Sequence, residues 1–465
     1  MSPRRSAEGG RIDRGRTIRF SFDGKAYQGH PGDTLASALM ANGVRLFGRS
    51  FKYHRPRGLL AAGVDEPNAL VTVLKGTVRE PNIAATQIEI YEGLTVESQN
   101  RFPSLDIDAG AVNQLAGGLL SAGFYYKTFM GPVIGPLKGT RVWMACEHFI
   151  RRAAGLGRAG RDADPDRYER MNAFCDVLVV GAGPAEAGKR VILADLDPVP
   201  GGSANWSGET IDGLPAAAWA QRTIDALGAM DTVRLLPRTT VWGYYDGNTL
   251  AALERVTDHK PAPDKGEPRH RHWTIRAGAV VLATGAFERP LVFPGNDRPG
   301  VMLADAAVRL LREYGVVAGS RLALFANNDD AYRAAAALAE AGATIAAIVD
   351  MRDTVSSAAR ALAERAGAEL LAGHAVTGTK GGKALREITV QRLREGEITG
   401  QPRRIAVDCL LMSGGWSPAI HLASQAGTAP RWDEALQAFL PPKPTQNWVG
   451  FGGRKACKAS SHCGA

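Results

Sequence analysis

An α/β architecture, with a small β-rich unit ahead of a doubly wound region built on parallel strands, is predicted by three observations. Residues 17–41 read as strand, hairpin, strand and helix. Four apolar residues, Val177-Leu178-Val179-Val180, run directly into Gly181-Ala182-Gly183. A strand–helix–strand pattern then recurs from Arg321 to Val349. Continuous apolar strands alternating with helices are the mark of a parallel sheet covered on both faces.

The elements follow in order. Thr17 to Phe22 alternates polar and apolar, Asp23-Gly24 is a hairpin turn, and Ala26-Tyr27 resumes the strand. Asp33-Thr34 caps the helix Leu35-Ala36-Ser37-Ala38-Leu39-Met40, which Asn42-Gly43 stops. This is how a β-grasp domain begins, and with a further strand from Asn68 to Leu74 it is placed at residues 17–100. Residues 101–170 are read as a connector. A first dinucleotide-binding domain is assigned to 171–300 with 400–465, and a second, of NAD(P) type, to 301–399. The second has a strand from Arg321 to Phe325, a helix from Asp330 to Ala341 with Asp330 as cap, and a strand from Thr344 to Val349.

Composition narrows the function. Glycine, 54 of 465 residues, is well above the usual share of about 7% without a collagen-like period, which points to tight turns and close backbone approaches. The net charge of +9 permits an anionic ligand. Five cysteines are an odd, scattered number, so a reducing, cytoplasmic setting is expected. The arginine-rich start, Met1 to Arg16, lacks an apolar block and is read as a loose tail rather than a secretory leader. The most apolar window, Ala111 to Phe129, is broken by Asn113, Gln114 and Lys127, so no membrane span is expected.

The strongest local signal is Gly181-Ala182-Gly183-Pro184-Ala185 after its strand. Glycines let the backbone approach a pyrophosphate, and a following helix offers amides and dipole. Asp195, at the end of the next strand Val191-Ile192-Leu193-Ala194, is placed to accept hydrogen bonds from a ribose. Gly201-Gly202 gives a second close approach, and Val280 to Ala286 is a buried strand ending at Thr284-Gly285. Only ten residues join Gly181 to Arg190, so the helix facing the phosphate is nearly absent. In the second unit Asn327-Asn328-Asp329-Asp330 stands where glycines would cradle phosphate, and two carboxylates there repel an anion.

Other residues are read more plainly. The basic loop Arg49 to Arg57, interleaved with Phe51 and Tyr53, is first a contact for a subunit or a cofactor phosphate, then a solvated face. A nucleic-acid strip would need a second patch. Cys457, His462 and Cys463 are too few to close a zinc site, so no metal is assigned. His148, His272 and His421 lack informative neighbours, and no catalytic residue is assigned.

Four segments, Arg49 to Gly58, Gly285 to Phe293, Asn296 to Met302 and Ser413 to Pro418, together resemble the alpha-subunit family of heterotetrameric sarcosine oxidase over about residues 17–440. The resemblance implies a ferredoxin-like β-grasp domain, a two-dinucleotide FAD/NAD(P)-type region and a complex that demethylates sarcosine oxidatively to glycine, with beta, gamma and delta subunits as partners. It implies NAD at the alpha site, lined by Gly181, Gly183, Asp195, Gly202 and Gly285, with FAD and covalent FMN belonging to the beta subunit. Where cluster-bearing relatives carry three cysteine ligands, this sequence has Ala61, Glu66 and Ala69, so no iron–sulfur cluster is expected. The family's C-terminal folate-binding domain is missing, so a truncated alpha subunit is expected, and Gly450 to Arg454 departs from the usual last strand and helix. Two alternatives stay open: the alpha-like component of a hydroxyproline dehydrogenase or opine oxidase, and a non-catalytic remnant.

Overall fold

The structure, a computed structural model, describes residues 3–116, 160, 162–181, 188–427, 429–441 and 448–451. Two compact units divide the chain: residues 1–164 with 291–413, and residues 165–290 with 414–465.

The first unit opens with the ferredoxin-like β-grasp sheet, ordered Lys25–Gly29, Ile18–Phe22, Thr95–Ser98, Leu70–Lys75 and Val78–Ala84. Asp23 and Gly24 both have positive φ, which matches the hairpin twist, and the two strands pair antiparallel across them. Helix Leu35–Ala41 buries all seven residues, and at its start Thr34 and Ser37 bond each other's backbone amides in a capping box. Such a cap stabilises a helix by about 1 kcal/mol.

The segment from Pro3 to Arg16 is a correction to the sequence reading, because it is anchored rather than loose. Arg5 donates to the buried carboxylate of Asp33 at 2.7 Å and to the Tyr314 carbonyl at 2.6 Å. Asp33 also accepts from the His30 amide and the Ser37 hydroxyl. Asp408 gathers Arg4 at 3.1 Å and Arg45 at 2.7 Å on its carboxylate, together with the amides of Ser320 and Arg321.

The same unit holds a fully parallel five-stranded sheet, ordered Val301–Leu303, Cys409–Ser413, Arg321–Ala326, Thr344–Asp350 and Glu369–Ala372. Its central strands are buried almost throughout, as strands covered on both faces require. Helices Ala304–Tyr314, Asp330–Glu340 and Ser357–Arg365 lie between strands in the chain, and His374–Lys380, Glu387–Arg394 and Glu397–Ala406 form an antiparallel meander.

The second unit carries the other parallel sheet. Val233–Leu236, Val191–Ala194, Tyr168–Val180 and His270–Leu282 run parallel in that order, with Thr249–Arg255 and Thr239–Tyr245 added antiparallel. The unbroken apolar runs have a direct cause. Leu178, Val180, Ile192 and Ala194 enter one core, while Val177, Val179, Val191 and Leu193 enter another with Leu227 of helix Ala216–Gly228. Both faces of each strand are covered, so no residue in the run can be polar. Trp448–Phe451, in the region that departs by resemblance from the last flavoprotein strand, is itself a strand, parallel to His270–Leu282. Among the described residues no helix is long and apolar enough to cross a membrane.

Candidate functional site

Strand register builds the site. Val180 pairs with Ala194 on one side and Leu282 on the other, so Gly181, Asp195 and the turn Ala283-Thr284-Gly285 leave three adjacent parallel strands at one carboxyl edge. Ligands of doubly wound sheets bind outside that edge. The structure thus brings together Gly181, Asp195 and Gly285, with Gly202 in the loop that follows Asp195. Gly183 lies outside the described residues, as do Ala182 and residues 184–187.

The glycines serve different needs. At Gly181 φ is +91° and a Cβ would collide with the Ala283 carbonyl oxygen, so the residue is small because the neighbouring strand end presses on it. For Gly202 at +51° and Gly285 at +69°, a Cβ would meet nothing within 4 Å among the described residues. There the backbone angle asks for glycine, and among the described residues nothing fills the space beside them.

Asp195 is buried and folds its own turn, accepting from the Asp197 amide at 2.9 Å and the Gly201 amide at 3.4 Å. The Thr284-Gly285 turn is clamped by the Trp416 to Pro418 motif. Ala286–Glu288 pairs with Trp416–Pro418, the Thr284 hydroxyl donates to the Ala419 carbonyl at 2.9 Å, and the Ala419 amide donates to Gly285 at 3.0 Å. A depression of about 600 Å³, lined by Phe174, Arg190, Asp231 and Arg234 among others, lies at the opposite, amino edge and is no part of this site.

At the carboxyl edge of the other parallel sheet the groups are already paired. Asp350, fully buried at a strand end, accepts from the Tyr332 hydroxyl at 2.7 Å and from Arg352 at 2.7 and 3.0 Å. Arg352 also reaches Asp329 at 2.8 Å. Hydrogen bonding to Asp350 raises the Arg352 guanidinium further, and burial raises the Tyr332 hydroxyl. The start of helix Asp330–Glu340 corrects the sequence reading: the cap position is Asp329, which makes no capping bond of its own, and the preceding Asn328 side chain, not Asp330, accepts from the Ala331 amide while its amino group donates to Ser413. Asn is as good a cap as Asp and adds the donor that Ser413 needs.

Of the basic loop, Arg57 pairs with Asp297 at 2.9 Å, the His54 ring contacts Asp108 at 2.7 Å, and Lys52 and Arg55 lie over the Tyr53 ring. The His272 ring lies tilted against Trp242, and the His421 ring meets Phe287 edge-on. Among the described residues no group of His, Cys, Asp and Glu could hold a metal. His148, Cys457, His462 and Cys463 lie outside them.

One feature escaped sequence reasoning. Glu66 is buried in the β-grasp domain, and its carboxylate accepts four backbone N–H groups: Leu60 at 2.7 Å and Ala61 at 2.8 Å on one oxygen, Asn68 at 2.6 Å and Ala69 at 2.8 Å on the other. Burial pushes this carboxyl up to about 7, and the four amides pull the other way. The sequence offers only the adjacent acids Asp65 and Glu66 between the apolar runs Leu59 to Ala62 and Ala69 to Val71, with nothing to say which of the two turns inward.

Comparison with known proteins adds the relationships. Residues 15–101 match the family described as "2Fe-2S iron-sulfur cluster binding domain". That match overturns the expectation that set this domain apart from iron–sulfur clusters: its family is a cluster-binding one. The donor set in this segment is of another kind, since residues 15–101 contain no cysteine and Glu66 holds the loop amides. These residues do not fit thiolate ligation, and no chemistry is assigned to a cluster. Over 473 aligned residues the chain is 49% identical to the sarcosine oxidase alpha subunit of Rhizobium meliloti (strain 1021), covering 100% of this chain and 46% of that protein. An opine oxidase component of Rhizobium meliloti is more distant, at 29% identity over 58% of this chain and 56% of its own length. The chain thus spans about half the length of the curated relatives it matches. Among solved structures, L-proline dehydrogenase from P. horikoshii superposes with a TM-score of 0.59 at 18% identity, covering 96% of this chain and 70% of that one, which supports the fold.

Proposed function

Over its whole length the chain is related to the sarcosine oxidase alpha subunits, and from that premise we propose that it serves as the alpha-type component of a flavin-dependent, sarcosine-oxidising complex, contributing a dinucleotide site of NAD type. The observation that carries the site is the register that sets Gly181, Asp195 and Gly285 on one carboxyl edge, with Gly202 beside them. Gly183 completes the proposed lining. When bound, a nicotinamide dinucleotide supplies hydride chemistry. What this chain supplies is recognition: the Asp195 carboxylate to accept ribose hydroxyls, and open glycine backbone at 202 and 285 for close approach. The demethylation of sarcosine to glycine, the beta-, gamma- and delta-type partners and a cytoplasmic setting belong to the same proposal. The free, buried thiols Cys175 and Cys409 suit a reducing compartment. The opine oxidase reading is the weaker one, given its lower identity and shorter coverage.

Titration calorimetry with NAD tests the site. Binding heat is expected for the wild-type chain, with affinity lowered about tenfold in Asp195→Ala, equivalent to about 1.4 kcal/mol. No heat at millimolar NAD would remove the dinucleotide site from the proposal. Co-expression with a beta-type subunit tests the rest: a yellow, sarcosine-oxidising complex is expected, and a colourless, separable pair would overturn the complex.

A further inference from the structure

Loop 60–69 converges four amide N–H groups on one point, two from its first residues and two from its last, and Glu66 places a carboxylate there. Backbone amides gathered in this way form an anion-binding concavity. Each bond to a charged acceptor is shorter and stronger than a neutral one, and the observed 2.6–2.8 Å distances are of that class. None of the four donor residues, Leu60, Ala61, Asn68 and Ala69, carries an anionic side chain, and the loop's other acid, Asp65, is exposed, so the anion comes from Glu66 or from outside. The loop is also a joint. Its Leu60 carbonyl accepts the Leu303 amide at 2.9 Å, the Gly63 carbonyl accepts the Thr86 hydroxyl at 2.7 Å, and a Cβ on the preceding Gly58 would meet the Pro299 Cα at 2.7 Å. The shape that the anion imposes is therefore the shape in which the β-grasp domain meets the parallel-sheet domain of the same unit.

We infer that this loop is an anion receptor kept occupied by the chain's own Glu66, and that removing the side chain opens it to small carboxylates such as formate. Glu66 is a positioning residue that acts through the four amides. This goes beyond the proposed oxidoreductase role and stands or falls separately from it.

Hydrogen exchange measured by mass spectrometry on the full-length chain tests the inference, with sodium chloride as the ionic control for sodium formate. In Glu66→Ala, peptides covering residues 59–70 are expected to exchange at least about tenfold faster, while peptides over helix Leu35–Ala41 change less than about twofold. Formate at about 50 mM should restore most of the lost protection in Glu66→Ala through mass action. Glu66→Gln keeps the volume but turns an amino group toward two of the donors, so it should lose protection that formate cannot restore. Unchanged exchange at 59–70 in either variant overturns the inference, as does an increase in Glu66→Ala that formate leaves unmoved. If Glu66→Ala does not fold, Glu66→Gln decides alone: faster exchange confined to 59–70 supports the receptor, and wild-type exchange refutes it.

Discussion

The two parallel sheets place an aspartate at the same kind of strand end and use it differently. Asp195 turns its oxygens to the amides of its own loop, beside Gly202 and Gly285, which no described residue crowds, whereas Asp350 is closed in by the Tyr332 hydroxyl and the Arg352 guanidinium. A shared architecture therefore does not carry a shared site. The difference lies in what the residues after the strand bring: glycine backbone at 201 and 202 in one case, a long cation two positions on in the other.

The sharpest way to break the comparison is to remove Asp350. Its loss leaves a buried hydroxyl and part of a guanidinium without an acceptor, so Asp350→Ala should destabilise its domain by about 3 kcal/mol in a denaturant titration and leave NAD affinity unchanged. A loss under about 1 kcal/mol, or a change in affinity, would mean that the second edge is not self-contained. Next come the glycines. Gly181→Ala forces a Cβ onto the Ala283 carbonyl and should cost about 2–3 kcal/mol, whereas Gly202→Ala meets only its unfavourable φ and should cost about 1 kcal/mol. Equal effects would show that both glycines answer the same constraint.

The smallest effect concerns acid, at the amino edge of the sheet that carries Asp195. Burial would lift the Asp258 carboxyl, but the hydrogen bond and charge of His270, with Arg269, outweigh it and hold it down to about 2. A carboxyl depressed in the fold contributes stability that is present above its unfolded value near 4 and disappears as the pH falls through 2. Asp258→Asn should therefore flatten the acid limb of the stability profile by roughly 1–2 kcal/mol between pH 4 and 2, with Asp195 and its loop unaffected. A profile identical to that of the wild type would assign the acid sensitivity elsewhere.

How much of this was legible in the sequence follows from how local each cause is. The strands at Val177 to Val180, Val191 to Ala194 and Arg321 to Phe325 were readable because both of their faces are buried, and the Thr34 cap because its partner is three residues away. Asp195 was placed at the carboxyl edge by its position after an apolar run. Asn328 in place of Asp330 could not be chosen, since the deciding partner, Ser413, is 85 residues on. The anchoring of the first residues was hidden for the same reason, with Arg5 meeting Tyr314 across 309 positions. Glu66 was seen only as the absence of a thiol, because nothing in a linear pattern shows four amides turning inward on one side chain.

Asp408 has a consequence for how the protein is made. Arg45 and its carboxylate partner are 363 residues apart. At about 5–20 residues per second, a ribosome needs roughly 20–70 s to deliver Asp408 after Arg45 has been synthesised. Until then the basic side chains of the early domain have no counter-charge at that seam, so its final seating is a late event in biosynthesis, set by the pace of translation.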